Sequence, residues 1–436
     1  MDKISQLSDD LLIKILSLVE TRDAVAMSSL SKRWKSLWKL VPRLIFEDYS
    51  DEDEDAETKE THWRNLSHFV YGILLFHKAP VLETFHLNVA SDLLALEVDS
   101  WVRIAVERYV RDLKISFHYD HGLIRLPSSL FRCETLETLE LHRVILLEVP
   151  CQFRFRSIRT LRLLSVKYPD EECFCRIISS CPVVKNLDVE TNNSNVAIFT
   201  INLPSLESLT VRDSLIECLP HEYLFVIYSN SLKLLNILDY FGEVSIIGNM
   251  LELVEANLQT LSRHENVLKS ITSVKRLSLC LDGEAQYPTG NVFIQLVRLE
   301  ICMCQENWSN MFVCMLQHSP KLQILKLVEN HGMFVDRKIG WVQPSCVPEC
   351  LLFNLKSFEW RNYQGSEEEK QVAIYILKNA RRLVTAIIDP DSVKLVHRRK
   401  VLEDLEFATR GSRACELQWP ERKLVQEQVL KLSLYH

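Results

Sequence analysis

Residues 136–141 read Leu-Glu-Thr-Leu-Glu-Leu, residues 158–163 Ile-Arg-Thr-Leu-Arg-Leu, and residues 184–189 Val-Lys-Asn-Leu-Asp-Val. All share one pattern, apolar-x-x-apolar-x-apolar. Working outward, it recurs upstream at Leu82/Phe85/Leu87 and Val110/Leu113/Ile115. Downstream it returns at Leu206/Leu209/Val211, Leu232/Leu235/Ile237, Val274/Leu277/Leu279, Leu296/Leu299/Ile301, Leu322/Leu325/Leu327 and Leu355/Phe358/Trp360. Blurred copies lie near Leu253 to Leu258 and at Leu383/Ala386/Ile388. The copies mostly fall roughly 21–28 residues apart, a period that belongs to stacked repeats. In each, the last two apolar residues alternate along a short strand and enter one core, while the residues between them face out. The chain returns on the other side, in places as a helix. Asp170 to Ser180 and Asn310 to His318 have suitable amphipathic patterns, and a proline closes each. One repeat cannot cover its own apolar face, so neighbours must stack into a curved parallel sheet.

This pattern resembles the leucine-rich-repeat family. The Asn or Cys that the family places three residues after the strand is present as Asn192, Cys304 and Asn330 and missing from most other copies. An irregular solenoid over residues 63–345 is therefore expected. Its outward strand positions include Glu140, His142, Arg162, Asp188, Glu190, Arg212, Arg276, Arg298, Glu300 and Lys326. Mixed charge suits a protein partner better than a polyanion. Asp188, Glu190, Arg212, Arg276, Arg298, Glu300 and Lys326 are the candidate target-binding residues.

Upstream, residues 1–47 offer three short helical patterns. Ser8 is a plausible N-cap before Asp9 and Asp10, for a helix through Leu11, Leu12, Ile15, Leu16 and Val19. A second helix can start near Thr21 to Asp23, and a third carries Leu30, Trp34, Leu37 and Trp38, closed by Pro42. Segments of roughly 40 residues bury too little surface to fold unaided. Some of these large apolar side chains must therefore pack on the next domain or on another protein.

The run LSDDLLIKILSLVETRDAVAMSSLSKRWKSLW resembles an F-box of the kind that opens many plant F-box proteins, with Ser8 where the family usually has proline. The resemblance implies docking onto the Skp-type adaptor of a cullin ubiquitin ligase. The implied contact residues are Leu7, Leu11, Leu12, Ile15, Leu16, Leu30, Arg33, Trp34, Leu37 and Trp38.

Between these parts the composition turns abruptly acidic, from Glu47 through Glu57. Like charges repel and bury no core, so residues 48–62 read as an exposed linker, with helical pattern resuming at Trp63 to Phe76.

At the other end, VPECLLFNLKSFEW and GSEEEKQVAIYILKNARRL, within residues 346–419, resemble the FBD module that closes many plant F-box/leucine-rich-repeat proteins. The residues also speak for themselves. Leu355, Phe358 and Trp360 make a repeat-like strand that Gly365 breaks, and Ser366 with Glu369 forms a capping box. The helix so capped runs through Val372, Ile374, Ile376 and Leu377. Leu383, Ala386 and Ile388 supply the next strand, and a further helix is expected from about Val393 to Phe407. Such a module would cap the open end of the solenoid. The basic cluster His397-Arg398-Arg399-Lys400 reads as a solvated helix face, and the tail 420–436 has no assigned role.

Across 436 residues there are 51 Lys and Arg against 58 Asp and Glu, a net charge of −7 that argues against a general nucleic-acid binder. With 10 glycines and neither GxxxxGK[ST] nor GxGxxG, nucleotide cofactors are not expected. No HExxH, GxSxG or kinase-like set occurs, so no catalytic residue is assigned. Neither a signal peptide nor a membrane span is visible, which points to the cytoplasm or nucleus and leaves the Asn65, Asn192 and Asn307 sequons idle. The 13 cysteines include no CxxC pair. Cys302 and Cys304 would share a strand face, but without a paired His/Cys cluster at zinc spacing, so reduced thiols are expected and no metal.

Together these features predict an α/β protein: a three-helix F-box, an irregular leucine-rich-repeat solenoid and an FBD cap. The expected role is the non-catalytic substrate-recognition subunit of a Skp-cullin-F-box ubiquitin ligase, with a target protein on the repeats. A non-ubiquitinating interaction scaffold and a small-molecule-gated receptor are compatible with the same pattern.

Overall fold

A helix can start where its first N–H groups find an acceptor, and Ser8 supplies one: its hydroxyl accepts from the Leu11 amide at 3.4 Å. The computed structural model describes residues 7–47, 56–89, 95–118, 122–124, 126–191, 194–212, 223–240, 243–260, 265–281, 292–304, 308–329, 340–390 and 405–419. They belong to two units, Met1–Leu253 with Thr260–Ser270, and Val254–Gln259 with Ile271–His436.

In the first unit, α1 (Asp9–Leu16) buries Leu12 and Leu16 against α3 (Trp34–Leu37) and the 3-10 turn Trp38–Leu40, while α2 (Thr21–Ala26) packs on that same turn. The third helix is shorter than expected. Beyond the 3-10 turn the structure adds an element that the helical pattern does not predict: Arg43–Glu47 is a strand, β1, whose Leu44 and Phe46 face the core. It pairs in parallel with β2 (Thr84–Val89), setting Leu44 beside Phe85 and Phe46 beside Leu87. Helix α4 (Ala56–Phe76) begins before the expected Trp63 and so takes up part of the acidic stretch. It packs on α5 (Ala95–Glu107) with Trp63 tilted against Trp101 at 5.7 Å.

From β2 the repeats run as a parallel ladder through β3 (Asp112–Phe117), Thr138–His142, Thr160–Leu164, Asn186–Glu190, Ser208–Arg212 and Leu234–Tyr240. The register stacks Leu113, Leu139, Leu161, Leu187, Leu209 and Leu235 in one row, all buried. Burying one such side chain contributes roughly 1.5–3 kcal/mol. Among the described residues, the return strands Ile198–Asn202, Leu224–Tyr228 and Glu243–Ile246 form a second parallel sheet, and Gly122–Ile124 pairs with Val144–Leu146 in a third. Phe199 stacks on Phe225 in the second sheet at 4.7 Å.

The second unit repeats the ladder through Arg276–Leu281, Arg298–Cys302, Ile324–Val328, Ser357–Tyr363, Thr385–Pro390 and Glu416–Gln418. Its helices include Trp308–His318 and Glu367–Asn379. The capping box is present as read: Ser366 Oγ accepts from the Glu369 amide, and the Glu369 carboxylate accepts from the Ser366 amide. Gly365 takes φ +77°, which a side chain would strain.

Two backbone devices hold successive repeats in step. The carbonyl just before a strand's position accepts two amides from the next repeat. Glu83, Arg111, Glu137, Arg159, Lys185 and Glu207 do this in the first unit, at 2.8–3.1 Å. Val254, Lys275, Val297, Gln323 and Lys356 do it in the second. The other device is a polar residue directly before the first apolar position. Thr135, Ser157, Ser205, Ser231 and Asn354 each donate to a carbonyl of the preceding repeat. They tie neighbouring repeats together from three residues before the strand, where the family's Asn stands three residues after it. Asn192, Asn307, Asn330, the basic cluster at 397–400, most of the segment expected as a helix from Val393 and the tail 420–436 lie outside the described residues.

Ser366→Ala removes half of the capping box and is expected to cost about 1 kcal/mol in urea unfolding. A second expectation concerns His77, buried between Val41 and Arg108: Nε2 lies 2.8 Å from the Val41 carbonyl and Nδ1 2.9 Å from Arg108 Nη1. Burial, with the Arg108 charge added, holds its pKa below the ordinary 6.5 against the opposing pull of the Val41 carbonyl. The unfolded chain therefore takes the proton more readily. The contribution is whole above pH 6.5 and is lost as pH falls through the folded pKa. Thermal melts should show the wild type losing stability on acidification through that range, and His77→Ala with a flatter dependence.

Candidate docking surfaces

The helical unit at the N-terminus keeps half of its large side chains and displays the rest. Leu12, Leu16, Trp34, Leu37 and Trp38 are buried within the chain. Leu11, Ile15 and Leu30 are exposed, and Leu7 is half-buried. Leu18, 80% exposed, and Leu40 join the exposed set. Leu11, Ile15 and Leu18 follow one helical stripe at four- and three-residue spacing. Nothing in the apolar pattern separates the two groups, because the buried Leu12 and Leu16 keep the same spacing one residue on. Leu18 is legible as the next member of the stripe beyond Ile15.

Arg33 shapes this surface. Its Nη2 donates to the Leu7 carbonyl at 2.6 Å and its Nε to Asp9 at 2.7 Å, so it fastens the start of α1 to the turn before α3. The unit is also fastened to the segments downstream of it. Arg43 donates to the Ser17 carbonyl, the Ile45 amide to Thr21 Oγ1, and the Lys78 and Ala79 amides to the Lys39 carbonyl. With the β1–β2 pairing, these bonds join the exposed leucines to the same compact unit as the first repeats.

The second candidate is the ladder face opposite the leucines. In the first unit Lys114, Glu140, Arg162 and Asp188 stand side by side on successive strands. Glu140 is buried and bonded at 2.9 Å to both Lys114 and Arg162. Burial alone would push its pKa up, but the two cations hold it below the usual carboxylate range. Asp188 shows the opposite balance. It lies 2.8 Å from Arg212, yet burial outweighs that guanidinium and its pKa is raised. One step along, Glu190 stands beside Arg212 and accepts from Ser165 at 2.5 Å.

In the second unit Glu300 meets Lys326 at 2.8 Å, with Arg298 at 3.9 Å. Arg276 and Arg298 are paired in register at the strand starts, and Arg276 is held by Glu255 at 2.7 Å. The seven candidate residues thus form two groups, Asp188, Glu190 and Arg212 in one unit and Arg276, Arg298, Glu300 and Lys326 in the other. Lys114 is absent from the outward positions named from sequence, although its place between Leu113 and Ile115 marks it. Most of these charges are already neutralised in pairs, so the face offers shape and hydrogen bonds more than net field. Among the described residues no helix is long and apolar enough to cross a membrane.

Trp34→Ala empties a packed site and is expected to cost about 3–5 kcal/mol in chemical denaturation. Leu11→Asp, on the exposed stripe, should leave the unfolding midpoint nearly unchanged.

Comparison with known proteins agrees with this anatomy. Family models match residues 4–46 (F-box domain), 98–245 (FBD-associated F-box protein At5g56370, LRR repeats) and 343–388 (FBD). F-box/FBD/LRR-repeat protein At5g56420 of Arabidopsis thaliana is 42% identical over 423 residues, covering 95% of this chain and 98% of the relative. FBD-associated F-box protein At5g56370 of the same plant is 39% identical over 434 residues, covering 96% and 99%.

Proposed function

This chain belongs to the family of F-box/FBD/LRR-repeat proteins, and we propose that it is the substrate-recognition subunit of a Skp-cullin-F-box ubiquitin ligase. The observation that carries the reading is the exposed stripe Leu11, Ile15 and Leu18, with Leu30, on a unit that packs Leu12, Leu16, Trp34, Leu37 and Trp38. A surface of this kind calls for a partner, and an F-box offers it to the Skp-type adaptor and through that to a cullin. Arg33 contributes by holding the start of α1 in place. Leu12, Leu16, Trp34, Leu37 and Trp38 contribute by supporting the helices from beneath.

The polar ladder face receives the target protein in this reading, through Asp188, Glu190 and Arg212 on the first unit and Arg276, Arg298, Glu300 and Lys326 on the second. The subunit makes no bond itself; it raises the concentration of target near the ubiquitin-loaded partner of the ligase. Three of the thiols are held protonated by their surroundings: burial pushes Cys173 up to about 11 and Cys181 and Cys350 up to about 12. Cytoplasm or nucleus is the compartment the reading requires.

The test is binding of the purified full-length chain to a Skp-type adaptor by calorimetry. Wild type is expected to bind, and Leu11→Asp/Ile15→Asp to lose about 2 kcal/mol or more, roughly thirtyfold in affinity, while melting as wild type. A wild-type chain that fails to bind adaptor would overturn the ligase reading. Equal binding by the double variant would move the contact elsewhere on the helices.

A further inference from the structure

Cys280, Cys302 and Cys304 come together in the second unit, all three buried, with their sulfur atoms within 4.8 Å of one another. Cys280 Sγ and Cys304 Sγ are 3.2 Å apart. The ladder makes this meeting. Leu279 sits in register with Ile301, so one step further Cys280 stands beside Cys302 on the neighbouring strand. A period of two then brings Cys304 to the same side as Cys302. Val328, opposite Cys302 on the next strand, closes the cluster with an apolar side chain. These positions lie on the face away from the leucines, at the end of the strands that also carry Glu300 and Lys326.

We propose that Cys280, Cys302 and Cys304 form a three-thiolate site for one thiophilic d10 cation, zinc(II) or copper(I). The ligand chemistry selects this class: soft sulfur donors favour zinc and copper(I), whereas magnesium and calcium demand oxygen. No carboxylate or imidazole joins the group among the described residues. The dimensions fit as well. With metal–sulfur bonds near 2.3 Å, thiolates stand about 3.8 Å apart around a tetrahedral ion and about 4.0 Å apart in a trigonal plane. The Cys280 and Cys304 sulfurs, 3.2 Å apart, would separate by about 0.6–0.8 Å to reach either. Loading is balanced by proton release: three thiols and one cation give a tris-thiolate complex and three protons. The bound ion would clamp adjacent strands of the ladder across their hydrogen-bonded edge. Spacing along the chain does not show the site, because its third ligand lies one repeat upstream.

The experiment uses the full-length chain, loaded either with zinc sulfate or, anaerobically, with copper(I)–glutathione, then desalted and measured by mass-spectrometric metal analysis. Wild type is expected to keep one ion per chain in at least one arm, and the arm that retains it identifies the ion. Cys302→Val and Cys280→Ser should each lower retention at least about tenfold, and Cys415→Val, a buried thiol elsewhere, should not. Chelation should lower the melting temperature of wild type and leave that of Cys302→Val unchanged. Because variants can misfold, cobalt(II) is also added to wild type alone, where thiolate-to-cobalt charge-transfer absorption is expected. Wild type retaining no more of either ion than Cys302→Val, with no such absorption, overturns the proposal. So does an intact mass two hydrogen atoms lighter, with Cys280 and Cys304 oxidised by dissolved oxygen to a disulfide under the loading conditions.

Discussion

One backbone carbonyl per repeat, accepting two amides from the next, sets the spacing on which the rest depends. Glu137 shows the geometry: its carbonyl takes the Arg159 and Thr160 amides, and the Glu137 and Thr138 amides are in turn taken by Arg111. A carbonyl oxygen has two lone pairs, so this bond pair satisfies it fully while fixing where the following strand begins. Once the start is fixed, the period of two along each strand dictates which residues enter the core and which face out. A one-residue slip would turn the whole leucine row outward. The Thr135, Ser157, Ser205 and Ser231 hydroxyls repeat the restraint from the side chain. That redundancy lets the return segments vary between helix, strand and loop without disturbing the ladder.

The same constraint joins the N-terminal helices to the repeats. Arg43–Glu47 adopts the register of the ladder, so the F-box supplies its first strand. The exposed Leu11 and Ile15 of α1 are therefore carried on the unit that also holds Lys114, Glu140 and Arg162. A swivelling linker would let the helices take many positions relative to that ladder face; a shared sheet restricts that range.

Much of the molecule is legible along the chain. The leucine signature, the Ser366–Glu369 box and the parallel pairing of the strand through Ala386 and Ile388 follow from short-range patterns, and the structure carries them. The F-box and FBD resemblances are legible for the same reason, since their motifs are contiguous. Local pattern misleads where the deciding partner is distant. Leu44 and Phe46 look like the end of a helical unit until β2 is alongside. The acidic stretch reads as linker until its last residues are seen to open α4.

By itself, then, the sequence determined the period, the class of fold, the family and the positions that face the core, because each depends on residues within one repeat. Only the tertiary structure decided which leucines of α1 remain on the surface, since burial depends on what packs against a helix from afar. It alone paired Lys114 with Glu140 and Asp188 with Arg212, one rung to the next. It alone brought Cys280 to Cys302 and Cys304, because a stacked repeat converts a separation of one period along the chain into direct contact.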